Sequence, residues 1–128
     1  MGTQAFIGYR DEMGMIRAAH VAYDGYTTGV GATLQEFYRD AQKIETLVNM
    51  GSLRGLKSTL AAVEVYPDGA LNMLVCSDVE EYRTEYRCSS FASYAYLWDG
   101  EQWLVSDYGS AFIPLTQALE ACGIIIAA

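Results

Sequence analysis

The chain has 128 residues, enough for one domain with a real core and too few for two. Apolar residues make up 52% and charged residues 19%, a balance that excludes the polar, highly charged composition of disordered chains. Sixteen acidic against eight basic residues leave a net charge of −8, the wrong sign for a protein that holds nucleic acid directly through its phosphates.

Along the chain, Ala5, Ile7 and Tyr9 alternate within Thr3 to Tyr9, and a second run follows from Met15 to Tyr23, so the start reads as a hairpin. Beyond a Gly/Thr-rich connection, Leu34, Phe37, Tyr38, Ala41, Ile44, Leu47 and Val48 recur at helical spacing, with Gly51 placed as a stop. Asp40 can cap a helix beginning at Ala41, so this stretch is either one helix or two short ones. Thr59 to Tyr66 alternates like a strand and meets the turn signal Pro67-Asp68-Gly69, with Ala70 to Cys76 as its expected returning partner. Asp78 to Arg87 mixes acids, tyrosines and arginines without a clear period and receives no element.

Ser90 to Trp98, Asp99-Gly100 and Glu101 to Ser106 form the clearest hairpin signal, because Asp-Gly suits the positive φ of a tight turn. Tyr94, Tyr96 and Trp98 then share one face. Pro114 fits the first turn of a last helix, with Leu115, Ala118, Leu119 and Cys122 on its apolar side and Gly123 at its end. The sum over residues 1–128 is a single α+β domain, mainly an antiparallel sheet with two or three helices.

Cys76, Cys88 and Cys122 are an odd number of thiols in a chain with no need of stapling, which points to reduced, buried cysteines and a cytoplasmic home. No signal-peptide pattern opens the chain, and the apolar C-terminal stretch is broken by Gln117 and Glu120, so no membrane association is expected. The tail Ile124 to Ala128 is expected to end in the core or in a partner subunit, and the second case would make a homodimer.

No catalytic apparatus is legible. His20 is the single histidine and carries no flanking motif, so it reads as a hydrogen-bonded strand residue at a sheet edge rather than a base. The three cysteines and His20 lack the close spacing of a zinc site, and neither a metal nor a cofactor is expected. Gly29-Val30-Gly31 lies between a strand and a helix, where free amides can cradle an anion, although neither the dinucleotide nor the P-loop pattern is complete. Tyr23, Asp24, Tyr26, Gly29 and Gly31 are therefore candidate ligand contacts. Ten tyrosines, several beside acids as in Tyr23-Asp24, Glu81-Tyr82, Glu85-Tyr86 and Asp107-Tyr108, suit an interaction surface. The acid excess concentrates between Asp78 and Asp107, where Arg83 and Arg87 are the bases.

Met1-Gly2-Thr3, Tyr23-Asp24-Gly25-Tyr26, Gly29-Val30-Gly31 with Leu34, Asp40, Gly51-Ser52-Leu53 and the late Tyr94-Ala95-Tyr96-Leu97-Trp98-Asp99-Gly100 with Trp103 carry a resemblance. The chain resembles a group of small proteins of bacteriophages, prophages and related mobile elements, whose usual pattern runs Gly-Thr-Arg-Ser, then Cys-His-Trp-Asp-Gly-Tyr-Pro-Glu-Gly-Val-Gly. Gln4, Ala5, Val21, Ala22 and Thr27 depart from that pattern, and His20 does not occupy the position of its histidine. The resemblance implies an accessory protein acting on host machinery. The expected function is non-enzymatic inhibition of a host protein with a basic surface, a defence system of CRISPR or restriction type among the targets. Asp78, Glu80, Glu81 and Glu85 would occupy a basic groove while Tyr82 and Tyr86 give packed contact. The alternative is a sponge for a small nucleotide signal, with phosphate at Gly29-Val30-Gly31 and the base on Tyr23 or Tyr26.

Overall fold

A computed structural model describes residues 3–66, 73–90 and 92–124, apart from the side chains of 89 and 90. The opening hairpin forms as its alternation dictates: β1 (Ala5–Arg10) pairs antiparallel with β2 (Ile16–Val21), from Ala5 opposite Val21 to Arg10 opposite Ile16. Its turn is tied by Asp11, whose carboxylate accepts from the amides of Met13 and Met15, each at 2.9 Å, and from Arg17 Nε at 3.0 Å.

The connection after β2 winds through a single π-helical turn at Thr27–Gly31 into α1 (Ala32–Phe37). A second short helix, α2 (Ala41–Val48), starts where the Asp40 side chain accepts from the Gln42 amide at 3.1 Å. The helical stretch is thus two helices, and a β-region Asp40 backbone is what breaks it. Then follow β3 (Leu53–Gly55), β4 (Glu64–Val65), β5 (Met73–Cys76), α3 (Val79–Ser90), β6 (Tyr94–Trp98), β7 (Trp103–Asp107), β8 (Ile113–Pro114) and α4 (Leu115–Ala121).

Among the described residues the eight strands make one mixed, mostly antiparallel open sheet in the order β4-β3-β2-β1-β6-β7-β8, with β5 also on β2. The central pair β1 and β6 is parallel, Ala5 opposite Tyr94 and Tyr9 opposite Trp98, and β2 meets β3 in parallel at Val21 and Leu53. The fold is a single α+β domain.

Period-two alternation loads both sheet faces. Ala5, Ile7, Tyr9, Tyr96, Trp98, Trp103 and Val105 point to one side, where Leu34 of α1, Ile44, Leu47 and Val48 of α2, and Leu115 and Leu119 of α4 complete the larger core. Phe6, Ile16, Ala18, Cys76, Ala95 and Leu97 point to the other, where Tyr82 and Tyr86 of α3 lie on them. Each such fully buried large side chain contributes roughly 1.5–3 kcal/mol. Three of them have their polar ends satisfied: Trp103 Nε1 donates to the Tyr38 carbonyl at 2.6 Å, Tyr82 Oη to the Tyr96 carbonyl at 2.9 Å, and Tyr96 Oη to the Gly25 carbonyl at 2.7 Å.

Several expectations change. Thr59–Tyr66 is not one strand: Leu60–Ala62 forms a 3₁₀ turn and only Glu64–Val65 pairs, with β3. β5 pairs with β2 rather than with that segment. Asp78 to Arg87, given no element, lies in α3 with its preceding cap, and among the described residues the α-helices number four rather than two or three. The expected strand from Ser90 starts only at Tyr94, since Ser90 ends α3, and Phe91 lies outside the described residues. Pro114 stands just before the last helix, not within its first turn. Met1-Gly2, the turn at Pro67-Asp68-Gly69, the start of the returning segment at Ala70 and the tail after Ile124 lie outside the described residues.

Candidate functional site

α3 places the acidic candidates. Asp78 precedes its first turn and accepts from the Glu81 amide at 2.8 Å, while Glu81 Oε1 accepts from the Ser77 amide at 2.6 Å. This reciprocal cap satisfies two amides that the helix itself cannot. The carboxylates also sit at the positive end of the helix dipole. Asp78, Glu80 and Glu81 are exposed, and Glu85 is half-buried. Glu80 holds Arg83 at 2.6 Å.

The tyrosines of the same helix do the opposite. Tyr82 and Tyr86, four residues apart and therefore on one helix face, are both 0% exposed against the sheet. They cannot touch a partner, and their place in the expected contact surface is corrected: they hold α3 down while the carboxylates face outward. Burial pushes the Tyr82 phenol well above its usual range. Gly8 permits this approach, since a Cβ there would come within 3.2 Å of Tyr82 Oη.

Both hairpin turns were legible in the sequence, but not that they reach the same end of the sheet as the start of α3. Glu12 in the β1–β2 turn and Glu101 in the β6–β7 turn are exposed at the sheet end where Cys76 stands opposite Ile16 and β5 leads into α3. Their signal was the turn position itself, since an acid at a hairpin tip is exposed. Between the turns and α2 lies a cleft of about 620 Å³ whose walls include Tyr9, Glu12, Glu45, Asn49, Trp98 and Asp99. Trp98 is 7% exposed, and its Nε1 is buried with no hydrogen-bond partner among the described residues. Asp11 in this wall is partly desolvated, which raises its pKa, but the Arg17 guanidinium and the Met15 and Met13 amides outweigh that and hold its carboxyl below the usual range.

The second candidate set, Tyr23, Asp24, Tyr26, Gly29 and Gly31, lies at the opposite end of the sheet. Its glycines serve close packing. A Cβ on Gly25 would lie 2.7 Å from the Ala5 Cβ and 2.8 Å from the Thr3 carbonyl. One on Gly29 would run into the Asp24 carbonyl, and one on Gly31 would press Leu115 and Tyr96 at 3.2 Å. The amides expected to cradle an anion are spent internally: Gly29 donates to the Tyr26 carbonyl at 2.9 Å, Val30 to the Asp24 carbonyl at 2.8 Å, and Gly31 to the Tyr26 carbonyl at 3.5 Å. Tyr23 and Tyr26 remain exposed.

His20 stands on a central strand rather than an edge, T-shaped to Phe6, with Nε2 at 2.8 Å from Gln4 Oε1. Burial lowers its pKa. Cys76 is buried as expected, and burial together with Glu81, Glu85 and Asp78 pushes its thiol up to about 11, whereas Cys88 and Cys122 are exposed. Among the described residues no group of three or more His, Cys, Asp and Glu is placed to hold a metal ion, and no helix is long and apolar enough to cross a membrane.

Comparison with protein-family models, with curated proteins and with solved structures finds no match.

Proposed function

We propose that the chain is a non-enzymatic accessory protein of a bacteriophage or mobile element, working in the host cytoplasm. It inhibits a host protein, a defence complex of CRISPR or restriction type, by seating an acidic end in a basic, nucleic-acid-binding groove. The observation that carries this reading is the grouping of exposed Glu12, Glu80, Glu81 and Glu101 at one end of the sheet, on a helix start and two tight turns. Carboxylates on rigid supports form a field that steers a basic partner and rejects nucleic acid. The nucleotide-sequestering alternative draws no support from the Gly29-Val30-Gly31 loop, whose amides are already bonded.

The test is phage plating on bacteria that carry a defined CRISPR or restriction system, with and without the chain expressed. Restored plating is expected for the intact chain. It should be lost in the triple variant Glu80→Gln, Glu81→Gln, Glu101→Gln, in which the glutamine at 81 can still accept from Ser77. Plating restored equally by the variant would overturn the acidic-end mechanism.

A further inference from the structure

At the sheet end remote from the carboxylates, the backbone does something costly. Among the described residues, the two non-glycine positions with positive φ are Asp24, at 59°, and Tyr108, at 50°. Both lie in loops that present exposed tyrosines: Tyr23 and Tyr26 flank the first, and Tyr108 is itself 63% exposed. The loops are joined through the lead into β1, where the Gly25 amide donates to the Thr3 carbonyl at 2.8 Å, Ser93 to Gln4 at 3.0 Å, and Tyr108 to Ser93 at 2.7 Å.

Tyr108 and Gly109, at φ 83°, are the central pair of a tight turn closed by the Ser110 amide donating to the Asp107 carbonyl at 3.0 Å. Successive positive φ values favour Asn-Gly, Asp-Gly or Gly-Gly, and a bulky aromatic in the first place is an outlier. The turn is nevertheless clamped: Gly109 N donates to Tyr86 Oη at 2.7 Å, Arg83 donates to the Gly109 carbonyl at 3.1 Å, and Ser110 Oγ donates to Asp107 at 2.7 Å. An exposed ring in a strained, tightly held turn is what a preorganised contact requires. Its surroundings state what it takes. The Arg87 guanidinium lies 5.3 Å from the Tyr108 ring centroid, Tyr94 is 5.8 Å away, and the carboxylates of Asp24 and Asp107 stand exposed in the same loops.

We infer that this tyrosine end, anchored by Tyr108 with Tyr23 and Tyr26 in the loop at the same end of the sheet, is a second docking surface for a protein segment that presents arginine. A planar guanidinium is drawn to a tyrosine face, as Arg87 lies over the Tyr108 ring, and bonds a neighbouring carboxylate, which an ammonium does less well. The inference stands apart from the acidic end, since it uses neither α3 carboxylates nor the cleft.

The test is an NMR titration of the 15N-labelled chain with oligo-arginine and with oligo-lysine peptides. Amides of Tyr23, Tyr94 and Tyr108 should move more for arginine than for lysine, whereas those at Glu80 and Glu101 respond to charge alone. Tyr108→Asn, which suits the turn, should keep or raise the melting temperature while weakening the arginine response at the tyrosine end about tenfold; Tyr108→Gly should do the same. Silent tyrosine-end amides, an undiminished response in either variant, or both variants unfolding would overturn the inference. So would concentration-dependent shifts of these amides without peptide, which would make a second copy of the chain the occupant. A response confined to Glu80 and Glu101 would sink this surface and leave the acidic end standing.

Discussion

Gly25 acts through the side chain it lacks. Its carbonyl takes the Tyr96 hydroxyl and its amide reaches Thr3, so the loop lies flat on the start of β1. Gly25→Ala must push against Ala5 and the Thr3 backbone, and is expected to cost about 2–3 kcal/mol in urea unfolding. Unchanged stability would mean that the loop stands off the sheet. The same reasoning separates the thiols. Burial and three nearby carboxylates keep Cys76 protonated at neutral pH, so iodoacetamide is expected to modify Cys88 and Cys122 and spare Cys76, read by peptide mass mapping. His20 gives a pH dependence of known sign. Its pKa is lowered from 6.5 by burial, so the fold binds the neutral ring; that stability is full above about 6.5 and is lost as pH falls through the folded value. Thermal melts across this range should show the slope, and His20→Gln should flatten it.

At the scale of elements, α3 explains what could and could not be read. The hairpins were legible because alternation and Asp-Gly are local signals, and the capping signal at Asp40 was legible too, although it left one helix or two open until the β-region backbone of Asp40 decided for two. α3 hid because its buried stripe is narrow: Tyr82 and Tyr86 stand four apart, which is helical spacing, but polar Arg83, Thr84 and Glu85 lie between them. Reading tyrosine beside acid as one surface therefore merged opposite faces of a helix. Asp78 is the element's start signal, and Asp78→Ala is expected to cost about 1 kcal/mol by losing the bond from the Glu81 amide. Chemical denaturation measures that loss, and a neutral result would assign the helix start to packing alone.

Over the whole molecule, strand order was not legible, since pairing β6 between β1 and β7 and β5 beside β2 depends on contacts distant in sequence. That order separates the two candidate sets. It sends the hairpin turns and the start of α3 to one end, and Tyr23, Asp24, Tyr26 and Tyr108 to the other. Of the expected contact residues, Asp78, Glu80, Glu81 and Glu85 keep a place at or near the acidic end, and Tyr82 and Tyr86 lose theirs to the core. Of the expected ligand loop, the tyrosines stay exposed and the glycines become packing.

The central claim is that the acidic end holds a basic host protein by charge. The direct measurement is affinity capture from host lysate at low and moderate salt, comparing the intact chain with the triple glutamine variant at 80, 81 and 101. A stoichiometric basic protein that salt releases, and that the variant fails to retain, is the expected result. A partner held equally by both chains and at both ionic strengths would contradict the claim.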